Sequence, residues 1–472
     1  MTDTASPPFW FPVISTHQGP MYLAIAEALI ADIASGSLPD GTCLPPQRTL
    51  AKHLDIDFTT VSRAYAEVKR RGLIEGRVGQ GTFVCTPSPS HRPSPKVSSS
   101  ANSGMLDMSM NSPPLFNDPA LTDRMWDSIL DLKHQSGLDL LLRYQEAGGT
   151  AADREAGAAW LHSRLDVSPD RILVCPGTQG ALLALFATMT QAGDTICSES
   201  LSYPGVKSLS AFLRLNLHGV PMDDEGLIPE AFEETCQRTA PKLLCCTPTL
   251  QNPTTRTWSL SRRREILEIA SRYSVAVIED DAYGALPASA PPPLAALAPD
   301  QVFHVAGLSK PLSPALRISY LVIPPDRSVA RLSSAIRASS AMASPLNAAI
   351  ASRWIETGIA QDVLTAIRTE TKARQRLATQ ILPPELTHAD SAGFHVWLDL
   401  PKSWTRSEFT HHLHSIGISV VGSEAFAVGP TAPPEAVRIG LGAAPDTTVL
   451  KRSLIHVADL LSQTPADMTM VV

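Results

Sequence analysis

No stretch of this sequence is apolar for long enough to cross a bilayer. The longest such run, near residues 181–189, falls far short of the roughly 20 residues a spanning helix needs. No basic segment followed by an apolar core is found at the start, so no secretory signal is expected. Cysteine is sparse and unpatterned: seven residues, an odd number, with no Cys-x-x-Cys pair and with Cys245 and Cys246 side by side in an apolar stretch. That usage excludes a disulfide framework or a metal site and points to a reducing cytoplasm. No strong excess of one charge appears either. The net charge of −7 excludes a chain that grips polyanions over its whole surface, but leaves room for a basic patch on one module. Global disorder is excluded by the 44% hydrophobic content, and 472 residues suggest two or three domains.

One stretch organises the rest: Val302 to Tyr320, VFHVAGLSKPLSPALRISY. It reads as a buried strand (Val302, Phe303, Val305), a Gly-Leu-Ser-Lys turn, then a second apolar strand from Ile318 to Ile323. Lys310 stands at the end of an apolar strand, poorly placed for a surface charge. It is well placed to condense with an aldehyde, because partial burial lowers an amine's pKa and frees its lone pair. Arg317, seven residues on, is suited to a phosphate. A lysine to condense and an arginine to clamp suggest pyridoxal 5'-phosphate (PLP). The plainer alternative is a strand-end lysine and an unrelated arginine.

The first module, residues 1–86, reads as helix, short helix, turn, helix and hairpin. Ile25, Leu29 and Ile33 mark the first helix, and Pro45-Pro46 pre-set the second, which carries Leu50 and Leu54. Asp57 is an N-cap for a third helix with Val61, Ala64, Tyr65 and Val68 on one face, stopped by Gly72. Leu73 to Val84 then reads as a two-stranded wing. This is the winged helix-turn-helix order. The third helix would offer Phe58, Thr59, Thr60 and Arg63 to a major groove. Arg48 suits a backbone phosphate, and Gly79 and Gly81 let the wing tip approach a groove closely. A small protein-interaction domain with a solvated basic face is the alternative. The stretch LPPQRTLAKHLDIDFTTVSRAYAEVKRRGLIEGRVGQGTFV resembles the GntR-type winged helix-turn-helix pattern. That resemblance puts the family's DNA-contacting arginine at Arg48, and it places Phe58 where an arginine often precedes the threonines.

Residues 87–104, PSPSHRPSPKVSSSANSG, are rich in Pro and Ser and read as an extended tether. From 105 to about 465, apolar strands alternate with helices. Strands are expected at Ile172–Cys175, Thr195–Cys197, Leu243–Thr247, Val275–Glu279, Val302–Ala306 and Tyr320–Ile323. A helix capped by Ser261 should run to Tyr273. The alternation predicts an α/β domain with a mostly parallel sheet covered on both faces. A smaller C-terminal α+β lobe, from about 327, should close over it. A site then belongs at the carboxyl ends of the strands. There, Thr178 and Gln179 open a helix suited to phosphate, Tyr203 can stack on a ring, and Asn252 and Tyr283 can reach a phenolic oxygen. Asp280 can hold a pyridine nitrogen protonated. Singly, each reads equally as an ordinary turn, cap or packing residue.

TQGAL, SYPG, QNPT, EDDAYG and LSKPLSPALRISY together resemble fold-type I PLP enzymes, the aspartate aminotransferase superfamily. With the GntR-like head, nearly the whole chain resembles the MocR/GabR-type transcription regulators. The resemblance implies that Lys310 forms the internal aldimine with PLP and that Asp280 pairs with the pyridine nitrogen. It assigns Asn252 and Tyr283 to the phenolic oxygen, Tyr203 to the ring, and Thr178, Gln179, Ser309 and Arg317 to the phosphate. It also gives Arg438 a substrate carboxylate. Gly307 stands where many members place a phosphate-binding Ser, so cofactor affinity is reduced or another donor substitutes. The expectation is a cytoplasmic regulator that binds operator DNA as a homodimer with exchanged heads. It would sense an amino compound or PLP itself, with no membrane and no metal involved. A working aminotransferase that carries a DNA-binding head is the alternative, and a repressor whose aminotransferase-like half only dimerises is a third.

Overall fold

The computed structural model describes residues 10–12, 20–70, 73–77, 81–85, 105–135, 137, 141–325 and 327–463. The tether stretch 87–104, and the positions Gly72 and Gly79, lie outside the described residues. The chain divides into two compact units, one within Met1–Ala101 and one within Asn102–Val472.

The first unit holds α1 (Met21–Ala34), β1 (Cys43–Leu44), α2 (Gln47–Leu54), α3 (Phe58–Arg70), β2 (Ile74–Arg77) and β3 (Gly81–Val84). Apolar residues at helical spacing meet in one small core: Ile25, Leu29 and Ile33 from α1, Leu50 from α2, Val61, Ala64 and Val68 from α3. Each such side chain contributes about 1.5–3 kcal/mol on burial, so a single truncation matters greatly in a module this small. Asp57 caps α3 as expected, accepting from the Thr59 backbone N–H at 2.7 Å. The Tyr65 hydroxyl donates to the Pro45 carbonyl at 2.9 Å and ties α3 to the start of α2. The wing differs from the hairpin expected. It is a three-stranded sheet in the order β1-β3-β2, because Cys43 and Leu44 pair with Phe83 and Thr82. Two residues are too short to leave a period-2 signature in the sequence.

The second unit opens with β4 (Leu106–Asp107), α4 (Pro119–Gln135) and α5 (Ala151–Leu161). Then strands and helices alternate: β5 (Ile172–Cys175), α6 (Gly177–Met189), β6 (Thr195–Glu199), α7 (Pro204–Phe212) and β7 (Asn216–Val220). A small hairpin, β8 (Met222–Asp223) with β9 (Gly226–Leu227), precedes α8 (Pro229–Thr239). The series continues with β10 (Leu243–Cys246), α9 (Leu260–Arg272), β11 (Ala276–Asp280), α10 (Leu294–Leu297), β12 (Val302–Gly307) and β13 (Ser319–Val322). The seven long strands form one sheet, β5-β13-β12-β11-β10-β6-β7, in which only β13 runs against the rest. Strands such as β10 and β12 are buried along their whole length, as a sheet covered on both faces requires. The cap of α9 is Ser259 rather than Ser261: the Ser259 hydroxyl accepts from the Arg262 N–H at 3.3 Å.

Next come α11 (Val329–Ser340), α12 (Pro345–Glu356) and α13 (Ile359–Ile381). The smaller lobe carries β14 (Thr387–Ala389), β15 (His395–Asp399), α14 (Arg406–Ser415), β16 (Ile418–Ser419), β17 (Val421–Gly422), β18 (Ala436–Gly440) and α15 (Thr447–Leu461). Its antiparallel sheet has the order β14-β15-β18-β17. Side chains from Leu332 to Ile367 pack into the two cores flanking the large sheet. The core of the small lobe draws on Ala378 onward, and on Met108 from the start of the unit. The lobe's core therefore begins well after residue 327. Among the described residues, no helix is long and apolar enough to cross a membrane.

Candidate functional site

Strand ends of the large sheet and β18 of the small lobe converge on a cavity of about 480 Å³. It brings together all ten residues singled out in the second module: Thr178, Gln179, Tyr203, Asn252, Asp280, Tyr283, Ser309, Lys310, Arg317 and Arg438. Most arrive where a strand of the large sheet stops. Thr178 and Gln179 follow β5, Tyr203 follows β6, Asn252 follows β10, Asp280 ends β11 with Tyr283 just beyond it, and Ser309 and Lys310 follow β12, while Arg317 precedes β13 and Arg438 lies within β18. Residues hundreds of positions apart thus meet because parallel strands deliver their carboxyl ends to one edge.

The Lys310 ammonium nitrogen donates to the Asn111 carbonyl and lies 5.8 Å from the centre of the Tyr283 ring. Burial, reinforced by the Arg438 charge and opposed by Asp280, pushes this amine down to about 8. Asp280 moves the other way. Burial and the neighbouring Asp281 push its carboxyl up to about 7, while His304 and Lys310 pull it back. Burial raises the Tyr283 phenol well above its ordinary value. Arg438 is itself buried; it donates to Asn252 Oδ1 at 2.8 Å and to the Ser109 carbonyl, with its guanidinium 4.9 Å from the Phe426 ring centre.

At the opposite end lies a cradle. α6 starts at Gly177 with no side-chain cap, so its first N–H groups are open to an anion. Gly177 has a φ of +75°, and a Cβ there would stand 3.1 Å from the Arg317 guanidinium. Only glycine allows both the turn and that approach. Gly307 answers the missing serine: a Cβ at 307 would come within 2.5 Å of Thr178 Oγ1. The threonine hydroxyl occupies the space a serine side chain would need. Two buried acceptors in the cavity, Asp280 Oδ1 and Gln179 Oε1, make no hydrogen bond within the described chain. A phosphate cradle, an orphaned carboxylate oxygen and a low-pKa lysine in one cavity fit PLP.

Three lining residues escaped the sequence reading. Asn111 donates from Nδ2 to the Tyr283 hydroxyl at 2.8 Å and shares a 2.9 Å contact with His395 Nδ1. Ser109 supplies its carbonyl to Arg438, and Phe426 lies beside that arginine. Ser109 and Asn111 sit in an aperiodic segment, so only its polar residues set among Met108 and Met110 could have marked it.

On the first unit, Arg48, Thr59, Arg63 and Gly81 are exposed and Thr60 is half-buried. Phe58, at the position where an arginine was expected, is 43% exposed and lies 6.0 Å from the Arg48 guanidinium. The Arg63 guanidinium stacks over the Tyr22 ring of α1 at 4.3 Å. Both arginines are thus steered by an aromatic face rather than by an acid.

Residues 21–84 match the model of bacterial regulatory proteins of the gntR family, and residues 103–456 match that of aminotransferase class I and II. The HTH-type transcriptional regulator YdeF of Bacillus subtilis strain 168 is 30% identical over 456 residues, covering 96% of this chain and 97% of its own. The probable rhizopine catabolism regulatory protein MocR of Rhizobium meliloti is 27% identical over 331 residues, 65% of this chain and 66% of its own. In three dimensions, kynurenine aminotransferase of Pyrococcus horikoshii superposes with a TM-score of 0.70 at 23% identity, covering 77% of this chain and 92% of that one. A GntR-type head on a fold-type I, PLP-dependent aminotransferase domain defines the group of transcription regulators that includes MocR, and this chain belongs to that family.

Proposed function

We propose that this transcription regulator senses a small amino compound, or PLP itself, through amine exchange at Lys310, and that the state of that lysine alters the hold of the winged heads on operator DNA. The observation that carries the reading is a buried, low-pKa lysine facing a phosphate cradle and a buried arginine in a chain that also carries a DNA-binding head. PLP supplies an aldehyde that condenses reversibly with amines. Lys310, with its amine near 8, is partly unprotonated at neutral pH and so able to condense. Asp280 faces the pyridine nitrogen, Tyr203 stacks on the ring, and Asn252 and Tyr283 hold the phenolic oxygen. Thr178, Gln179, Ser309 and Arg317 hold the phosphate, with the Thr178 hydroxyl replacing the serine absent at 307. Arg438 binds the effector's carboxylate as a bidentate partner, exchanging its present bonds to Asn252 and Ser109.

On the DNA side, Arg48 meets a phosphate. Thr59, Thr60 and Arg63 face the major groove, and Gly81, where β3 begins, lets the backbone approach the DNA; Gly79, outside the described residues, is assigned the same role from the sequence alone. Self-association is supported by apolar side chains left open on the second unit: Trp126 and Leu130 one turn apart on α4 are 54% and 66% exposed, and Tyr144 is 86% exposed; the exchange of heads is inferred from the length of the Pro/Ser-rich stretch 87–104. Coupling requires that the effector bind one arrangement of this dimer better than the other. A second reading, a working aminotransferase, is favoured by the completeness of the cavity, since Lys310 could also move protons.

A visible absorption spectrum of the holoprotein, with and without candidate amino acids, paired with a gel shift on its own upstream DNA, tests the proposal. A spectral change that alters the shift supports sensing. Turnover of an amino acid to its keto acid with no change in the gel shift favours the enzyme. A monomer by light scattering sinks the exchanged dimer.

A further inference from the structure

β11 ends in Glu279 and Asp280, and a third acid, Asp281, follows directly. Alternation along the strand turns Asp280 to the cavity and its two neighbours away from it. Behind them lies a buried ionic cluster outside the cavity. Glu279 Oε2 is 2.9 Å from His304 Nδ1, and Glu279 Oε1 is 3.6 Å from Arg263 Nη1. Asp281 Oδ2 accepts from Arg164 Nη1 at 2.7 Å and stands 3.6 Å from His304 Nε2. The backbone N–H groups of Leu294 and Ala295 complete Glu279 at 3.0 and 3.2 Å. On its other flank β12 pairs with β13, where Val322 is the register partner of His304. His304 and Glu279 are 1% and 0% exposed.

His304 therefore has a different carboxylate at each ring nitrogen. A neutral ring protonated on Nδ1 would satisfy the 2.9 Å bond to Glu279 alone; a positive charge on the ring is attracted by both carboxylates, Asp281 standing at ion-pair rather than hydrogen-bond distance. Two carboxylates, Glu279 and Asp281, then face three cations, Arg164, Arg263 and His304, with Asp280, the third acid, on the cavity side. The arginines keep their charge throughout the accessible pH range, so His304 is the one cation of the three that can switch off.

We propose that His304 is a positioning residue for the cofactor: held as an imidazolium between Glu279 and Asp281, it neutralises the back of the acidic triplet and keeps Asp280 ionised toward the pyridine nitrogen. The inference rests on the reading that Asp280 faces that nitrogen. The electrostatics agree. Burial opposes the charge on both His304 and Glu279, yet their mutual attraction prevails, raising the imidazole and lowering the carboxyl. His304 in turn counters the burial and the Asp281 charge that raise Asp280.

The test uses full-length holoprotein carrying PLP labelled with ¹⁵N in the ring, read by NMR. In the native protein the pyridine nitrogen should be protonated at pH 7. In His304→Gln the loss of that positive charge should raise the Asp280 carboxyl, so that at pH 7 the pyridine nitrogen cedes part of the shared proton to Asp280 and its ¹⁵N shift moves toward the unprotonated value. An unchanged ¹⁵N shift in a folded His304→Gln protein that holds its cofactor overturns the proposal and leaves the reading of the site intact. Should that variant fail to fold, the native protein decides the matter: ¹⁵N-histidine spectra should show both His304 nitrogens protonated at pH 7, and a neutral ring overturns the proposal. Borohydride reduction that fixes no cofactor to Lys310 overturns both.

Discussion

The two units of this chain use charge in opposite ways. In the winged unit Arg48, Thr59 and Arg63 are exposed, and the two arginines rest on aromatic faces. In the aminotransferase unit Arg438, Asp280 and Tyr283 are buried, each holding hydrogen bonds or a displaced pKa. A charge in water is weakened by salt and by its own hydration, so a DNA reader works by summing several modest contacts. A charge in a closed cavity is expensive to place but acts strongly on one neighbour. Replacing one residue should therefore dim the first unit and extinguish the second.

The largest expected effect is Lys310→Ala. It should abolish the visible absorption band and any borohydride-fixed cofactor, while gel shifts with bare operator DNA persist because the head is untouched. Loss of both functions at once would break the contrast. Next is the pH dependence of cofactor uptake. Since burial and Arg438 lower the Lys310 amine to about 8, the reactive neutral form grows as pH rises to that point and then saturates. Stopped-flow uptake rates should fall about tenfold per pH unit below 8, as a single titration requires. A rate still climbing tenfold per unit at pH 9 would mean an ordinary exposed lysine. Arg48→Ala should weaken operator binding by roughly tenfold and reduce the salt slope by about one, uniformly across sequences. Fluorescence anisotropy at several salt concentrations measures both. Smallest is Gly307→Ser. A serine there meets Thr178 Oγ1, so PLP affinity should drop a few-fold despite the added hydroxyl. The double change Gly307→Ser with Thr178→Ala should recover it, by equilibrium dialysis; a tighter single variant would show that the threonine yields freely.

Much of this contrast was legible from residues alone, but unevenly. Strand ends announce themselves: an apolar run stops at Cys175, Cys246 or Ala306, and the next polar residues belong to the cavity. The head was legible because its helices keep their period and its caps their chemistry. What stayed hidden depends on partners distant in sequence. Asn111 finds Tyr283 and His395 more than 170 residues away, and nothing in its aperiodic neighbourhood predicts either contact. The two-residue strand at Cys43–Leu44 gives no periodic signal. His304 was overlooked because its neighbours Val302, Phe303 and Val305 read as a plain buried strand; a histidine in such a run, together with the acidic triplet of β11, was the signal available. The residues that share the small lobe's core are hard to read from sequence because α11 to α13 are amphipathic whichever core they serve.

One feature of the second unit bears on how it could pull on anything upstream. The first strand after the tether, β4, pairs in parallel with β16, and Leu106 donates to the Gly417 carbonyl at 2.7 Å. Met108 is fully buried among the small lobe's apolar side chains, and the Gly440 N–H donates to its carbonyl at 2.8 Å. The start of the second unit is thus moored to the lobe that carries Arg438, and any displacement of that lobe would carry the mooring point with it.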